Sequence, residues 1–203
     1  MSFRFWPEIS FCLNEVEKEK KLLTNNTLTL DTLSDAREKI AHRLELLKLS
    51  FEQDLSNQYS SLALFAILAY IDEDIQRHLK DIGKGNWDPI QKDFYGAHSA
   101  GELFFETIDK ILDDPQVPTI VLEIFYFILK RGFLGKYRDS KTHINKYLDL
   151  MKEKIPCSAP IQTLDPLDEA HRENKYTIKT WHYYAGAGLS TLLLILSLYF
   201  YSY

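Results

Sequence analysis

Residues 181–203 read WHYYAGAGLSTLLLILSLYFYSY, and this stretch without Asp, Glu, Lys or Arg constrains the chain more than any other feature. As an α-helix it would be about 34 Å long, enough to cross the roughly 30 Å hydrocarbon layer of a bilayer. Aromatic residues lie at both ends, where amphipathic rings favour the membrane interfaces. We therefore expect a transmembrane anchor, the alternative being a buried core helix. The residues expected to face the membrane include Trp181, Leu192, Leu193, Leu194, Ile195 and Leu196.

Basic residues before this segment indicate its orientation. They occur from Arg172 to Lys179, and no charged residue follows the segment. Because basic flanks are retained on the cytoplasmic side, residues 1–180 are expected in the cytoplasm. Gly186 lies four residues before Ser190, a spacing that favours close approach of a second membrane helix, including that of a second copy of the chain.

The composition indicates a folded domain before the anchor. With 203 residues, 45% of them hydrophobic, the chain can bury a sizeable core. The net charge is -5 and the 24 basic residues are interspersed with 29 acidic ones, which argues against nucleic-acid binding. Cys12 and Cys157 have no neighbouring His or Cys at ligand spacing. No disulfide framework, metal site or cofactor is therefore predicted.

Apolar residues recur at helical spacing through residues 1–155, so an all-α cytoplasmic domain with six or more helices is expected. Ile40, Leu44 and Leu47 belong to the stripe of a helix that should begin near residues 32–34. The other helices are expected near residues 8–23, around 64–79, from Ser99 to a stop at Asp113, from Pro118 to before Gly132, and from Asp139 or Ser140 to about Lys154.

Residues 156–180 are expected to form a linker and a juxtamembrane segment. The part that reads PCSAPIQTLDPLD contains three prolines and shows little periodicity, which is typical of a linker. The predicted order is thus a cytoplasmic helical domain over residues 1–155, this linker, and the membrane anchor.

Three consecutive acids, Asp72, Glu73 and Asp74, end the apolar run LFAILAYI of the third helix. The run is expected to be a buried face, and Glu73 has the favourable four-residue spacing to Arg77, worth about 0.2–0.5 kcal/mol. A segment with two glycines follows, so we expect the acids to be exposed at a helix end beside a mobile loop, where they could dock a basic partner. The alternative is that Asp72 caps or pairs inside the bundle.

The sequence GKYR over residues 135–138 follows a helix end and combines two cations, Lys136 and Arg138, with the ring of Tyr137. It could receive an acidic surface of a partner. The alternative is internal, with Lys136 or Arg138 neutralising Glu123. A carboxylate within an apolar run needs either a partner or a raised pKa.

His98, Ser99 and Glu102 could be taken for a catalytic cluster. Ser99 and Glu102, however, have the spacing of a capping box at a helix start. No P-loop or nucleophile elbow occurs in the chain. We therefore predict that the protein is not an enzyme.

Four blocks taken in order resemble the DotU/TssL family of bacterial secretion-system proteins. They are LFAILAYIDEDI, a Trp-containing loop, FYGAHSAGELFFETI and LEIFYFILKRGFLGKYR, and together they span roughly residues 59–138. The likeness departs from the family at Ala97, where an acidic residue is frequent, and between residues 74 and 87, where a PWG-like sequence is missing. The motif residues it rests on include Gly96, Ser99, Gly101, Glu102, Glu123, Gly135 and Tyr137.

The resemblance implies a non-enzymatic inner-membrane scaffold of a type VI secretion system, or of the related type IVB apparatus. It implies a cytoplasmic domain like two three-helix bundles, an IcmF/TssM-like membrane partner and baseplate or other cytoplasmic components. Asp72, Glu73 and Asp74, with Lys136 and Arg138, become the expected partner-binding residues. A tail-anchored regulator of the Bcl-2 kind is a further alternative, since GNWDPI is superficially similar to that family's NWGR.

Overall fold

The computed structural model describes residues 4–25, 29–96 and 100–156, which fall within one compact unit and are all-helical. This confirms the predicted class. The helices are α1 (Trp6–Asn25), α2 (Leu30–Asp54), α3 (Asn57–Asp81), α4 (Gln91–Tyr95), α5 (Ala100–Asp113), α6 (Thr119–Lys130) and α7 (Lys141–Lys154), with a 3-10 helix at Gly135–Tyr137 before α7.

Side-chain caps fix where α2 and α3 begin. Thr29 and Thr32 form a reciprocal capping box, in which the Thr32 N–H donates to Thr29 Oγ1 at 3.2 Å. This cap starts α2 slightly earlier than the predicted residues 32–34. Ser56 accepts a bond from the Tyr59 N–H and starts α3 well before the apolar run that identified this helix.

Several predicted helix ends are confirmed. α5 stops at Asp113, and α6 begins directly after Pro118, whose fixed φ suits a helix start. Gly132, with a φ of 94°, follows the C-cap of α6 in the left-handed conformation that glycine adopts readily. α7 begins directly after Ser140 and ends at Lys154.

The helix α3 is the centre of the fold. It packs against α1, α2, α5 and α6, and its residues from Ala63 to Asp72 are all buried. A helix that is apolar on every side needs neighbours on every side, which the surrounding helices supply. Beside it, Phe104 of α5 packs at 4.3 Å from Phe133 and 4.9 Å from Phe125, measured between ring centroids.

In the part of the chain described, no helix combines the length and the apolar character that crossing a membrane requires. The predicted anchor over residues 181–203 and the predicted linker from residue 157 onward lie outside the described residues. The same is true of Ala97, His98 and Ser99, so the predicted capping box of α5 stays a prediction.

Candidate functional site

The three consecutive acids of α3 lie more than a helical turn before its end at Asp81. Their expected exposure is wrong for Asp72, which is 4% exposed, and for Asp74, which is 8% exposed, while Glu73 is half-buried. The reason is that other helices and loops pack around α3 at this level. Successive residues of an α-helix project about 100° apart, and the three carboxylates therefore bind three different parts of the domain.

Asp72 holds the loop that leads into α4. Its Oδ1 accepts the indole N–H of Trp87 at 2.7 Å and the backbone N–H of Ile90 at 2.9 Å, and its Oδ2 accepts the N–H of Gln91 at 2.9 Å. Burial raises the pKa of Asp72 above its ordinary value, although these three bonds act in the opposite direction. These bonds are the internal pairing that was the alternative for this acid, and the binding of a partner by Asp72 stays a prediction.

Glu73 holds the turn before the 3-10 helix. Its two oxygens accept the adjacent backbone N–H groups of Leu134 and Gly135, at 3.0 and 2.8 Å. Arg77 lies 3.8 Å from the same carboxylate, as its spacing predicts, and donates to the carbonyl of Gly132 at 3.2 Å. One turn of α3 thus fixes the segment that carries the GKYR sequence.

Asp74 ties α3 to α1. Its Oδ2 lies 2.5 Å from Lys20 Nζ, and its Oδ1 accepts a bond from Arg77 at 2.9 Å. Burial alone would raise the pKa of Asp74, but the bonds and charges of Lys20 and Arg77 outweigh it, so the pKa lies below its ordinary value. The same pairing raises the pKa of Lys20 against its own desolvation.

The 3-10 helix presents Lys136 and Arg138 to solvent, beside the chain reversal that Glu73 holds. Lys136 Nζ lies 5.4 Å from the centroid of the Tyr137 ring, a cation–π arrangement. Tyr137 in turn packs edge-on against Phe105 of α5 at 4.6 Å. The two exposed cations therefore lie on a segment whose position is fixed by Glu73 and by the packing of Tyr137 against Phe105.

The structure brings Gly135 of the GKYR block against Gly101 at the start of α5. Gly135 has a φ of 47°, and a Cβ placed on it would lie 2.7 Å from the Gly101 carbonyl oxygen. Among the other motif residues, Gly96 ends α4 in the left-handed conformation, Glu102 is exposed, and Glu123 is buried within α6. The pairing of Glu123 with Lys136 or Arg138 stays a prediction.

Sequence reasoning missed the partners of the three acids. Trp87, Leu134 and Lys20 lie far from the acids along the chain, and no local pattern connects them. The signal for burial was the apolar run itself. A helix that is apolar on every side is buried on every side, so the acids that continue the same helix were also candidates for burial. Within the described ranges, no cluster of three or more His, Cys, Asp or Glu side chains is arranged to hold a metal ion.

Comparisons with known proteins agree with this architecture. The family described as "Type VI secretion system protein DotU" matches residues 21–203. DotU from Francisella novicida is 24% identical with a TM-score of 0.62, covering 74% of this chain and 99% of its own. SciP/TssL of the type VI system of enteroaggregative Escherichia coli 042 is 21% identical with a TM-score of 0.52, covering 74% and 89%. No curated protein matches the chain.

Proposed function

Since this chain belongs to the DotU family of type VI secretion system proteins, we propose that it is a non-enzymatic scaffold subunit in the bacterial inner membrane. The family is a membrane-associated structural component of the secretion apparatus. In this proposal residues 181–203 form a single-pass anchor that ends in the periplasm. Residues 156–180 form a linker, and residues 1–155 a cytoplasmic domain resembling two three-helix bundles.

The proposed partners are an IcmF/TssM-like inner-membrane protein and baseplate or other cytoplasmic components. The type VI description of the matching family favours this system over a type IVB apparatus, and it argues against the Bcl-2-like alternative. A second copy of the chain, meeting the first through the anchor, is part of the same proposal.

One observation carries the proposed mechanism: three adjacent carboxylates on one helix hold three separate segments of the domain. A docking surface binds more tightly when its parts are fixed before the partner arrives, because less conformational entropy is lost on binding. Asp72 fixes the loop before α4, Glu73 the turn before the 3-10 helix, and Asp74 the helix α1. In this arrangement Lys136 and Arg138 contact an acidic partner surface, and the three acids act by positioning.

The experiment is affinity purification of the tagged full-length chain from its native host in mild detergent, followed by mass spectrometry. The Lys136→Glu/Arg138→Glu variant is expected to lose at least one secretion subunit that the unchanged chain recovers. Lys146→Glu/Lys152→Glu on exposed positions of α7 is the matched control for the same change in charge. Full recovery by the first variant, or equal loss by both, would contradict a specific role of Lys136 and Arg138.

A second variant separates positioning from direct contact. Glu73→Gln keeps one acceptor oxygen but loses the two-oxygen hold on Leu134 and Gly135. Faster amide hydrogen exchange over residues 133–138 together with weaker partner recovery is the expected result. Glu106→Gln on the exposed face of α5 is its control. Faster exchange with unchanged recovery would show that docking does not need the fixed turn.

A further inference from the structure

An open groove of about 300 Å³ runs between α1 and α2, on the outside of the domain. The two helices are antiparallel there, since Lys39 of α2 lies 3.6 Å from Glu19 of α1 while Arg43, one turn later, lies over Phe11. Phe11 is 50% exposed and Leu46 41%, so two large apolar side chains line the groove without being covered. This surface is distinct from the one assigned to Lys136 and Arg138.

Arg43 is the unusual residue of this groove. Its guanidinium lies 4.0 Å from the centroid of the Phe11 ring, and its Nε is fully buried without a hydrogen-bond acceptor. Within residues 4–25, 29–96 and 100–156 it has neither a hydrogen bond nor an ion pair. A desolvated donor without an acceptor costs free energy. The two Nη atoms of Arg43 are not buried, so a carboxylate of a partner could bind them and neutralise the guanidinium charge beside the buried Nε.

The other charges of the groove already have partners. Glu19 pairs with Lys39, and Glu15 pairs with Lys18 on its own helix. Cys12 lies buried at the floor, and burial raises the pKa of its thiol to about 12, so it is not a reactive nucleophile. The groove therefore has one unmatched charge, a cation, between two uncovered apolar side chains.

We propose that this groove binds an amphipathic helix of a partner protein that places a carboxylate on Arg43 and an apolar side chain between Phe11 and Leu46. In a recurring mode of recognition, an amphipathic helix lays its apolar face into a hydrophobic groove of its partner. Residues three or four apart on that helix lie about 5–6 Å from one another, so one face carries both groups. Glu15 and Glu19 within the groove repel an extended anionic surface such as that of a lipid bilayer, whereas a single carboxylate on a helix can meet Arg43 alone.

The test uses the full-length chain in its native host, with Leu46 replaced by the photocrosslinker p-benzoylphenylalanine. The same replacement at Leu150, exposed on α7, is the control position. We expect a crosslink from position 46 to a peptide of another protein that carries Asp or Glu one helical turn from an apolar residue. Crosslinks only to a second copy of this chain, only to lipid, or to nothing would overturn the proposal.

Two further changes test the chemistry. Arg43→Gln, whose fold is checked by thermal unfolding, should lower crosslinking by about tenfold or more, as truncation of a central arginine does in many interfaces. A charge swap should restore the crosslinking yield: Arg43→Glu in this chain, combined with replacement of the partner's Asp or Glu by Lys. An unchanged yield with Arg43→Gln, or no restoration by the charge swap, would overturn the assignment. The Lys136→Glu/Arg138→Glu variant should keep this crosslink, so failure here is distinguishable from failure of the proposed function.

Discussion

The buried carboxylate of Asp72 joins the middle of α3 to a loop that begins about ten residues further along the chain. Among the residues that the structure describes it forms no ion pair, and it accepts hydrogen bonds from Trp87, Ile90 and Gln91. Replacement of this carboxylate is therefore costly, since a donor left unbonded in the interior costs about 1–3 kcal/mol. At the scale of single residues, this is where the domain should be most sensitive to a change that leaves side-chain size the same.

Asp72→Asn should destabilise the domain by about 1–3 kcal/mol, because the amide NH₂ would face a backbone N–H that now donates to the carboxylate. The measurement is the Tm of the detergent-solubilised full-length chain, followed by circular dichroism. Asp81→Asn, at the exposed end of the same helix, is the control and should change stability by less than about 0.5 kcal/mol. Equal Tm values for the two variants would contradict the structural role of Asp72.

Two glycines offer a matched comparison of backbone strain with steric contact. Gly83 has a φ of 66° with open space where a Cβ would lie, whereas a Cβ on Gly135 would meet the Gly101 carbonyl oxygen at 2.7 Å. Gly83→Ala should therefore cost about 1–2 kcal/mol for the left-handed backbone alone. Gly135→Ala should cost clearly more, because the 3-10 helix must also move away from α5. A Tm for Gly135→Ala no lower than that of Gly83→Ala would contradict this close contact.

At the scale of secondary-structure elements, the Asp74–Lys20 pair that joins α3 to α1 predicts a dependence on pH. The pKa of Asp74 is lowered in the folded state, so its contribution is fully present above the unfolded value of about 3.9 and is lost as pH falls through the folded value. Asp74→Asn should thus lower the Tm at pH 7, and the difference from the unchanged chain should shrink below about pH 4. A difference in Tm that is constant from pH 7 to pH 3 would contradict this account.

The element boundaries were largely predictable because their signals are local. Pro118 and Gly132 bound α6, and Ser140 precedes α7, as these residue types commonly do at helix ends. The early start of α3 at Asn57 was missed, because its first turns carry few apolar residues. Helix ends marked by Pro, Gly or Ser were therefore predictable, whereas the polar first turns of α3 were not.

The burial of Asp72 and Asp74, and the internal contacts of Glu73, could not be predicted from the same signals. An acidic triplet after an apolar run normally continues on a polar face, and this expectation failed because α1, α4 and the turn before the 3-10 helix all meet α3 at this level. Those contacts join residues 15 to 62 positions apart, and only the packing of the whole domain brings them together. Arg43 illustrates the same limit, since its position on a helix gave no sign that its charge would be left unmatched.

At the scale of the whole molecule, the proposed function depends on anchoring rather than on one strong contact. A domain tethered to a membrane meets a membrane-bound partner at a high effective concentration, which can raise overall avidity by roughly 10²–10⁴ without any new contact. Modest interactions at Lys136, Arg138 and the groove between α1 and α2 would then suffice for assembly. The separate sites would also reinforce one another once the first is occupied.

Tethering to the membrane predicts different results for removing the anchor and for exchanging it. A chain that ends at Lys179 should lose most of its membrane-bound partner in copurification, because both proteins are then no longer confined to one surface. A chain with residues 181–203 replaced by an unrelated single-pass helix should recover the partner nearly as well as the unchanged chain, since tethering is restored. Carbonate extraction of membranes is the control that the exchanged helix inserts. If that chain inserts but recovers no partner, residues 181–203 make specific contacts within the membrane, for which Gly186 and Ser190 provide the small side chains that close helix packing requires.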